Sequence, residues 1–179
     1  MKIELYYAPV TCAMAPYITL TEAGADFEVH ALNFRTKDHL KPEYVKINPK
    51  HKVPMLIVDG QKLTENAAIH LWISRTFPDT NLIPAGPWEQ AQAVSMLSWC
   101  SGGIHPYLSR INNPANVCDI DGTADSVVAH ASDALYELFG LARFPNVVAH
   151  FERMQTRPSV QSLLAFEKET IEGFKKAAA

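Results

Sequence analysis

The stretch 48–73, NPKHKVPMLIVDGQKLTENAAIHLWI, decides the fold. Within it VPMLIV at 53–58 is a nearly unbroken apolar run, the pattern of a central strand. Asp59-Gly60 follows, a dipeptide suited to a tight hairpin turn, and KLT makes a short partner strand. Thr64 then precedes ENAAIHLWISRTF, which is helical with Ile69, Trp72 and Ile73 on one side, so Thr64 is the expected N-cap. Pro54 stands out, because a proline entering a strand removes a ladder donor.

On the N-terminal side, KIELYY at 2–7 alternates with Ile3, Leu5 and Tyr7 on one face, as a strand does. After a turn at Pro9, Ala13, Tyr17, Leu20 and Thr21 fall near helical spacing, and Gly24 is a plausible stop. FEVHAL at 27–32 reads as a second strand, and 35–50 as an irregular segment with a short helix around 41–47. The order is β-α-β, a connection, then β-β-α. Residues 79–88, DTNLIPAGPW, are rich in loop formers and read as a linker. Everything beyond looks helical. Residues 124–139 carry an amphipathic stripe of Val127, Val128, Ala131, Ala134, Leu135, Leu138 and Phe139. Residues 145–156 and 158–172 predict two more helices, each with a proline in its first turn.

Composition narrows the class. The chain has 179 residues, 47% of them hydrophobic and 20% charged, with a net charge of −3. That is ordinary for a soluble domain and disfavours a nucleic-acid binder or a basic membrane surface. No apolar run is long enough to cross a bilayer, and MKIELYYAPV does not read as a signal peptide. Cys12, Cys100 and Cys118 are few and widely spaced, which argues against a disulfide scaffold and for a reducing, cytoplasmic setting. The histidines at 30, 39, 51, 70, 130 and 150 show no metal-ligand spacing, so no metal is expected.

The order of elements and three motifs together resemble the cytosolic glutathione transferases. NPKHKVPMLIVDG followed by LTENAAIHLWI resembles that family's glutathione site, while YYAPVTCAMAP at 6–16 and WCSGGIHPYL at 99–108 resemble the bacterial Beta class in particular. The resemblance implies a thioredoxin-like α/β domain (βαβ-ββα) over 1–78, the linker 79–88, and an all-α domain over 89–179. It implies glutathione as co-substrate, a small hydrophobic electrophile as second substrate, a cytoplasmic homodimer, and a role in detoxification.

The resemblance also assigns residues. Pro54 would be cis, turning the Val53 backbone outward to pair with the cysteinyl part of glutathione as an added strand would. Glu65 and Asn66 open a helix, whose free N–H groups suit the γ-glutamyl carboxylate, with the Glu65 side chain meeting the ligand's ammonium. Asn66 departs mildly from the family's Ser or Gly. Lys37 and Lys52 match positions that contact the glycine end and backbone of glutathione. Tyr7 matches a tyrosine that other classes use on the glutathione thiolate, and ranks behind the rest. Ser98 replaces an Asn that in the Beta class often reaches glutathione in the neighbouring subunit.

Cys12 and His105 carry the expected chemistry. A cysteine at a helix N-terminus has its thiolate stabilised by the dipole, so Cys12 is expected to be a poised thiol. With no second Cys two residues beyond, it can form a mixed disulfide with glutathione but cannot run a dithiol cycle. His105 would orient or deprotonate a thiol. Pro106 and Gly102-Gly103 around it predict a bent helix. Cys100 and Cys118 are expected to be incidental.

One departure concerns length. Phe139-Gly140 joins Leu141-Ala142 directly, where relatives insert a capping box and a long buried helix. The helical domain is therefore expected to lack its usual central helix near 140–141, keeping the glutathione site but altering the second-substrate site. Two other readings stand beside conjugation or thiol exchange. One is a non-catalytic binding or structural protein on the same fold, and the other a glutathione-dependent isomerase, dehalogenase or ether-cleaving enzyme.

Overall fold

The computed structural model describes residues 1–139 and 145–177. Strands β1 (Ile3–Tyr7), β2 (Glu28–Ala31), β3 (Met55–Val58) and β4 (Gln61–Thr64) form one mixed sheet in the order β2-β1-β3-β4. β1 and β2 run parallel, as a right-handed crossover through α1 (Met14–Glu22) requires, while β3 and β4 are antiparallel neighbours. The β3–β4 connection is the expected two-residue hairpin: Asp59 and Gly60 take φ values of 46° and 83°. Helices α2 (Pro42–Val45) and α3 (Asn66–Thr76) complete the thioredoxin-like α/β layer. Alternation on β1 buries Ile3, Leu5 and Tyr7, which meet Leu20, Leu56, Ile69 and Ile73 in one core.

Helices α4 (Pro87–Trp99), α5 (His105–Asn112), α6 (Ala124–Phe139), α7 (Pro145–Gln155) and α8 (Pro158–Ala177) follow. The chain divides into two compact units, Met1–Glu89 with Arg157–Ala179, and Gln90–Thr156. This partition differs from the sequence expectation of one helical body over 89–179. The reason is the apolar face of α8. Leu163 is fully buried in the core of the first unit, and Phe166 stacks on Tyr17 with centroids 5.2 Å apart. Arg157 clamps Glu22 of α1 with both Nε and Nη2, at 2.6 and 2.7 Å, and Ser159 Oγ donates to the same carboxylate at 2.7 Å. A fully buried leucine contributes about 2 kcal/mol by area, so these contacts outweigh chain order.

In the second unit α5 packs on α6, where Ala131 of the predicted stripe is fully buried. The expected bend before His105 takes a specific form. Residues Cys100–Ile104 make a π-helical turn, and Pro106 falls in the first turn of a new helix, where its missing N–H costs nothing. The Gly140–Leu141 junction lies outside the described residues. Only residues 140–144 separate α6 from α7, which leaves no room between them for a further long helix.

Candidate functional site

The segment leading into β3 is held from beneath. Tyr44 Oη and Asn48 Nδ2 both donate to the Lys52 carbonyl, at 2.5 and 2.7 Å, and Asn48 is 2% exposed. The Val53–Pro54 bond is cis, as the resemblance implies. Val53 and Pro54 are buried, and the Val53 carbonyl accepts from Cys12 Sγ at 3.5 Å. Across the same point, Asn66 Nδ2 donates to the Cys12 carbonyl at 3.1 Å. Asn66 Oδ1 is buried with no partner among the described residues. A buried acceptor left unpaired costs about 1–3 kcal/mol, which a ligand donor would relieve. The structure therefore brings Cys12, Val53, Pro54 and Asn66 together.

Glu65 stands beside them at the N-terminal end of α3, with φ 73° and ψ 121°. That backbone region is unfavourable for any residue bearing a Cβ, and it aims the first free N–H groups of α3. The expected N-cap, Thr64, is instead the last residue of β4, and Glu65 takes the cap position without a side-chain bond. The Thr64 hydroxyl accepts from Lys50 Nζ at 2.9 Å, and the same ammonium pairs with Glu65 Oε1 at 2.8 Å. Lys50 was not singled out from the sequence, although it sits in the NPK of the motif. Its rival Lys52 is exposed and offers its carbonyl to Tyr44 and Asn48, and Lys37 is exposed in a left-handed turn.

Two expectations are corrected. The surroundings of Cys12 do not lower its thiol pKa as the helix end alone would. Burial pushes the thiol up, and a backbone hydrogen bond, the Asn66 amide and Lys52 only partly oppose burial and the nearby Glu65 carboxylate. Cys12 lies ahead of Ala13, the cap residue of α1, and donates its proton to a carbonyl. Desolvation wins over the helix end. Cys118, expected to be incidental, is pulled down by hydrogen bonds to Thr123 and to the Ile120 backbone. Tyr7 is also not available to a ligand. It is fully buried, and its hydroxyl donates to Glu167 Oε1 of α8, which also accepts from the Val10 N–H at 2.8 Å. Burial, then that carboxylate, hold the phenol far above its usual range. Glu167 itself was invisible to sequence reasoning.

His105 opens α5 in the second unit and is exposed. Among the described residues, Glu4, Glu28 and His30 place their ligand atoms within 4.8 Å of one another. Sequence spacing hides this group because parallel pairing of β1 with β2 creates it. Lys2 Nζ sits 3.1 Å from Glu4, and His30 Nε2 lies 3.0 Å from the same carboxylate, so Glu4 is already engaged from both sides. Among the described residues no helix is long and apolar enough to cross a membrane.

Residues 1–75 match the family described as glutathione S-transferase, N-terminal domain. The glutathione S-transferase GstA of Escherichia coli O157:H7 is 25% identical over 198 residues, covering 92% of this chain and 98% of that one. The aligned length exceeds the 179 residues of this chain, so part of the relative has no counterpart here. A probable maleylacetoacetate isomerase of Caenorhabditis elegans is 33% identical over 106 residues, which span 49% of its length. Two solved structures superpose across 92% of this chain and 98% of their own: a sphingomonad glutathione S-transferase complexed with glutathione (27% identity, TM-score 0.73) and a Beta class enzyme from Sphingomonas chungbukensis (28%, 0.72). Residues 1–75 thus match the glutathione S-transferase N-terminal domain family, and over nearly its whole length the chain is similar to glutathione transferases, a bacterial Beta class enzyme among them.

Proposed function

We propose that the chain is a glutathione transferase of Beta type, with Cys12 as its reacting thiol. The observation that carries this reading is the meeting of the Cys12 thiol, the Val53 carbonyl and the unpaired, buried Asn66 Oδ1 at the start of α3. Glutathione carries donors for both acceptors and a carboxylate for the α3 N-terminus, and Glu65 offers a partner for its ammonium. Lys37 and Lys52 remain at hand for the glycine end, now joined by Lys50, while Tyr7 leaves the ligand set. His105, the first residue of α5, is assigned to orienting a thiol.

The chemistry is thiol exchange or conjugation to a small electrophile. In exchange, the Cys12 sulfur attacks the S–S bond of oxidised glutathione. One half stays as a mixed disulfide, and the other leaves as a thiolate that takes up a proton. A cytoplasmic homodimer, with detoxification as its role, follows from the same family reading. An isomerase reading is favoured only by the partial C. elegans match.

Intact-protein mass after incubation with oxidised glutathione tests the proposal. The expected result is one glutathione adduct on the wild type, reversed by reductant and absent from Cys12→Ala. A folded protein that reacts with other thiol reagents but gains no glutathione would instead favour a binding or structural role.

A further inference from the structure

The outer face of the sheet carries a group of side chains that the thiol chemistry does not use. β1 and β2 run parallel in a register that sets Glu4 against Glu28 and Tyr6 against His30. Ile3, Leu5 and Tyr7 point into the core, so Glu4, Tyr6, Glu28 and His30 share the opposite face. Two carboxylates directly opposite each other on paired strands repel, and a cation offsets them. Lys2 supplies one positive charge against these two negative ones.

The individual oxygens decide what else can enter. Lys2 Nζ lies 3.1 Å from Glu4 Oε1 and 3.7 Å from Glu28 Oε2. His30 Nε2 lies 3.0 Å from Glu4 Oε2 and 3.7 Å from Glu28 Oε1. The ammonium and the imidazole thus use different oxygens of the same two groups, and Glu4 Oε2, Glu28 Oε1 and His30 Nε2 form a triangle of their own. Ligands held tetrahedrally at about 2.0–2.1 Å from zinc stand about 3.3 Å apart. The two edges through His30 bracket that spacing, and the ligand atoms of the three residues all lie within 4.8 Å of one another. The imidazole is also oriented: Tyr6 stacks on it with centroids 4.6 Å apart. A carboxylate only accepts, so Nε2 donates a proton to Glu4, and a metal ion would take the place of that proton.

We propose that Glu4, Glu28 and His30 form a site for a divalent cation of the zinc type. One imidazole with two carboxylates suits zinc, whereas calcium and magnesium take oxygen ligands. Three protein ligands leave the fourth position to water. The site ties β2, an edge strand of four residues, to β1, so bound metal stabilises the sheet by mass action. Lys2 bears on the same carboxylates and opposes the incoming charge. The site is independent of Cys12 and stands whether or not the transferase reading does.

Calorimetric titration of the metal-free full chain with zinc chloride tests it. A Cys12→Ala/Cys100→Ser/Cys118→Ser background removes the thiols as rival ligands. The expected result is one zinc ion per chain with a dissociation constant below about 100 μM. His30→Gln should weaken binding at least about tenfold, and so should Glu28→Gln, at an exposed position where the fold tolerates the change. Lys2→Met should tighten it about threefold. Zinc should raise the urea midpoint of the background protein and leave that of its Glu28→Gln variant where it was. Absence of saturable binding below millimolar zinc, binding that His30→Gln and Glu28→Gln leave unchanged, or binding that Lys2→Met weakens would each overturn the proposal and leave the group as ion pairs only.

Discussion

Cys12 Sγ donates to the Val53 carbonyl at 3.5 Å, so the thiol occupies an acceptor that an added peptide strand would use. The free protein therefore holds its candidate nucleophile hydrogen-bonded, in a half-buried position that disfavours the thiolate.

The first prediction concerns this thiol. In a Cys100→Ser/Cys118→Ser background, which removes the exposed Cys100 and the more acidic Cys118, alkylation of Cys12 by iodoacetamide should be slow at neutral pH. Its pH profile should rise above the range of an ordinary exposed cysteine. A profile centred near neutrality would show that the α1 terminus outweighs burial.

Tyr7→Phe separates a structural role from a ligand role. Loss of the hydroxyl strips the buried Glu167 of one of its two donors and should cost about 1–3 kcal/mol in urea unfolding. Glutathione affinity should stay within about twofold, since the ring remains and the phenol faces α8. A large loss of affinity with unchanged stability would return Tyr7 to the ligand set.

Glu65→Gln should weaken glutathione binding by about tenfold, because it removes the charge offered to an ammonium. Lys50→Ala should change stability by no more than about 0.5 kcal/mol, since the Lys50–Glu65 pair is largely exposed. Isothermal titration and chemical unfolding check the two effects separately.

His70 makes stability depend on pH. Its ring is buried on α3, with Nδ1 3.2 Å from Thr19 Oγ1, and burial lowers its pKa from 6.5 to about 4. The unfolded chain thus binds a proton that the folded chain refuses between these values. Stability is complete above pH 6.5 and falls as pH drops toward 4, by about 2 kcal/mol at pH 5 from this group alone. Comparing urea midpoints of wild type and His70→Gln at pH 7.5 and 5 isolates the contribution. Parallel losses in both proteins would assign the acid sensitivity elsewhere.

What the sequence disclosed was local. The Val53-Pro54 entry, the Asp59-Gly60 turn and the stripe at 124–139 are written in neighbouring residues, and the structure places each within a residue or two of its expected position. The motif singled out Val53, Cys12 and Asn66 one by one, and the structure brings them together. Thr64 looked like a cap because its hydroxyl suits one, but strand pairing with Met55 claimed it first. Lys50 and Lys52 are alike in sequence, and only the hairpin's geometry sends Lys50 to Glu65. Cys12 acidity was misread because a dipole argument is local, while burial depends on the whole fold. Glu167 reads as one more surface acid on an amphipathic helix until Tyr7, 160 residues away, is placed against it.

That separation in the chain bears on how the protein is made. Tyr7 leaves the ribosome 160 residues ahead of Glu167, so a nascent chain exposes the Tyr7 phenol and one side of α1 until α8 has emerged. The sheet can form early, but its final layer must wait for α8. Docking of α8 thus covers β1 and α1, and the interval before it is when a chaperone would find apolar surface to hold.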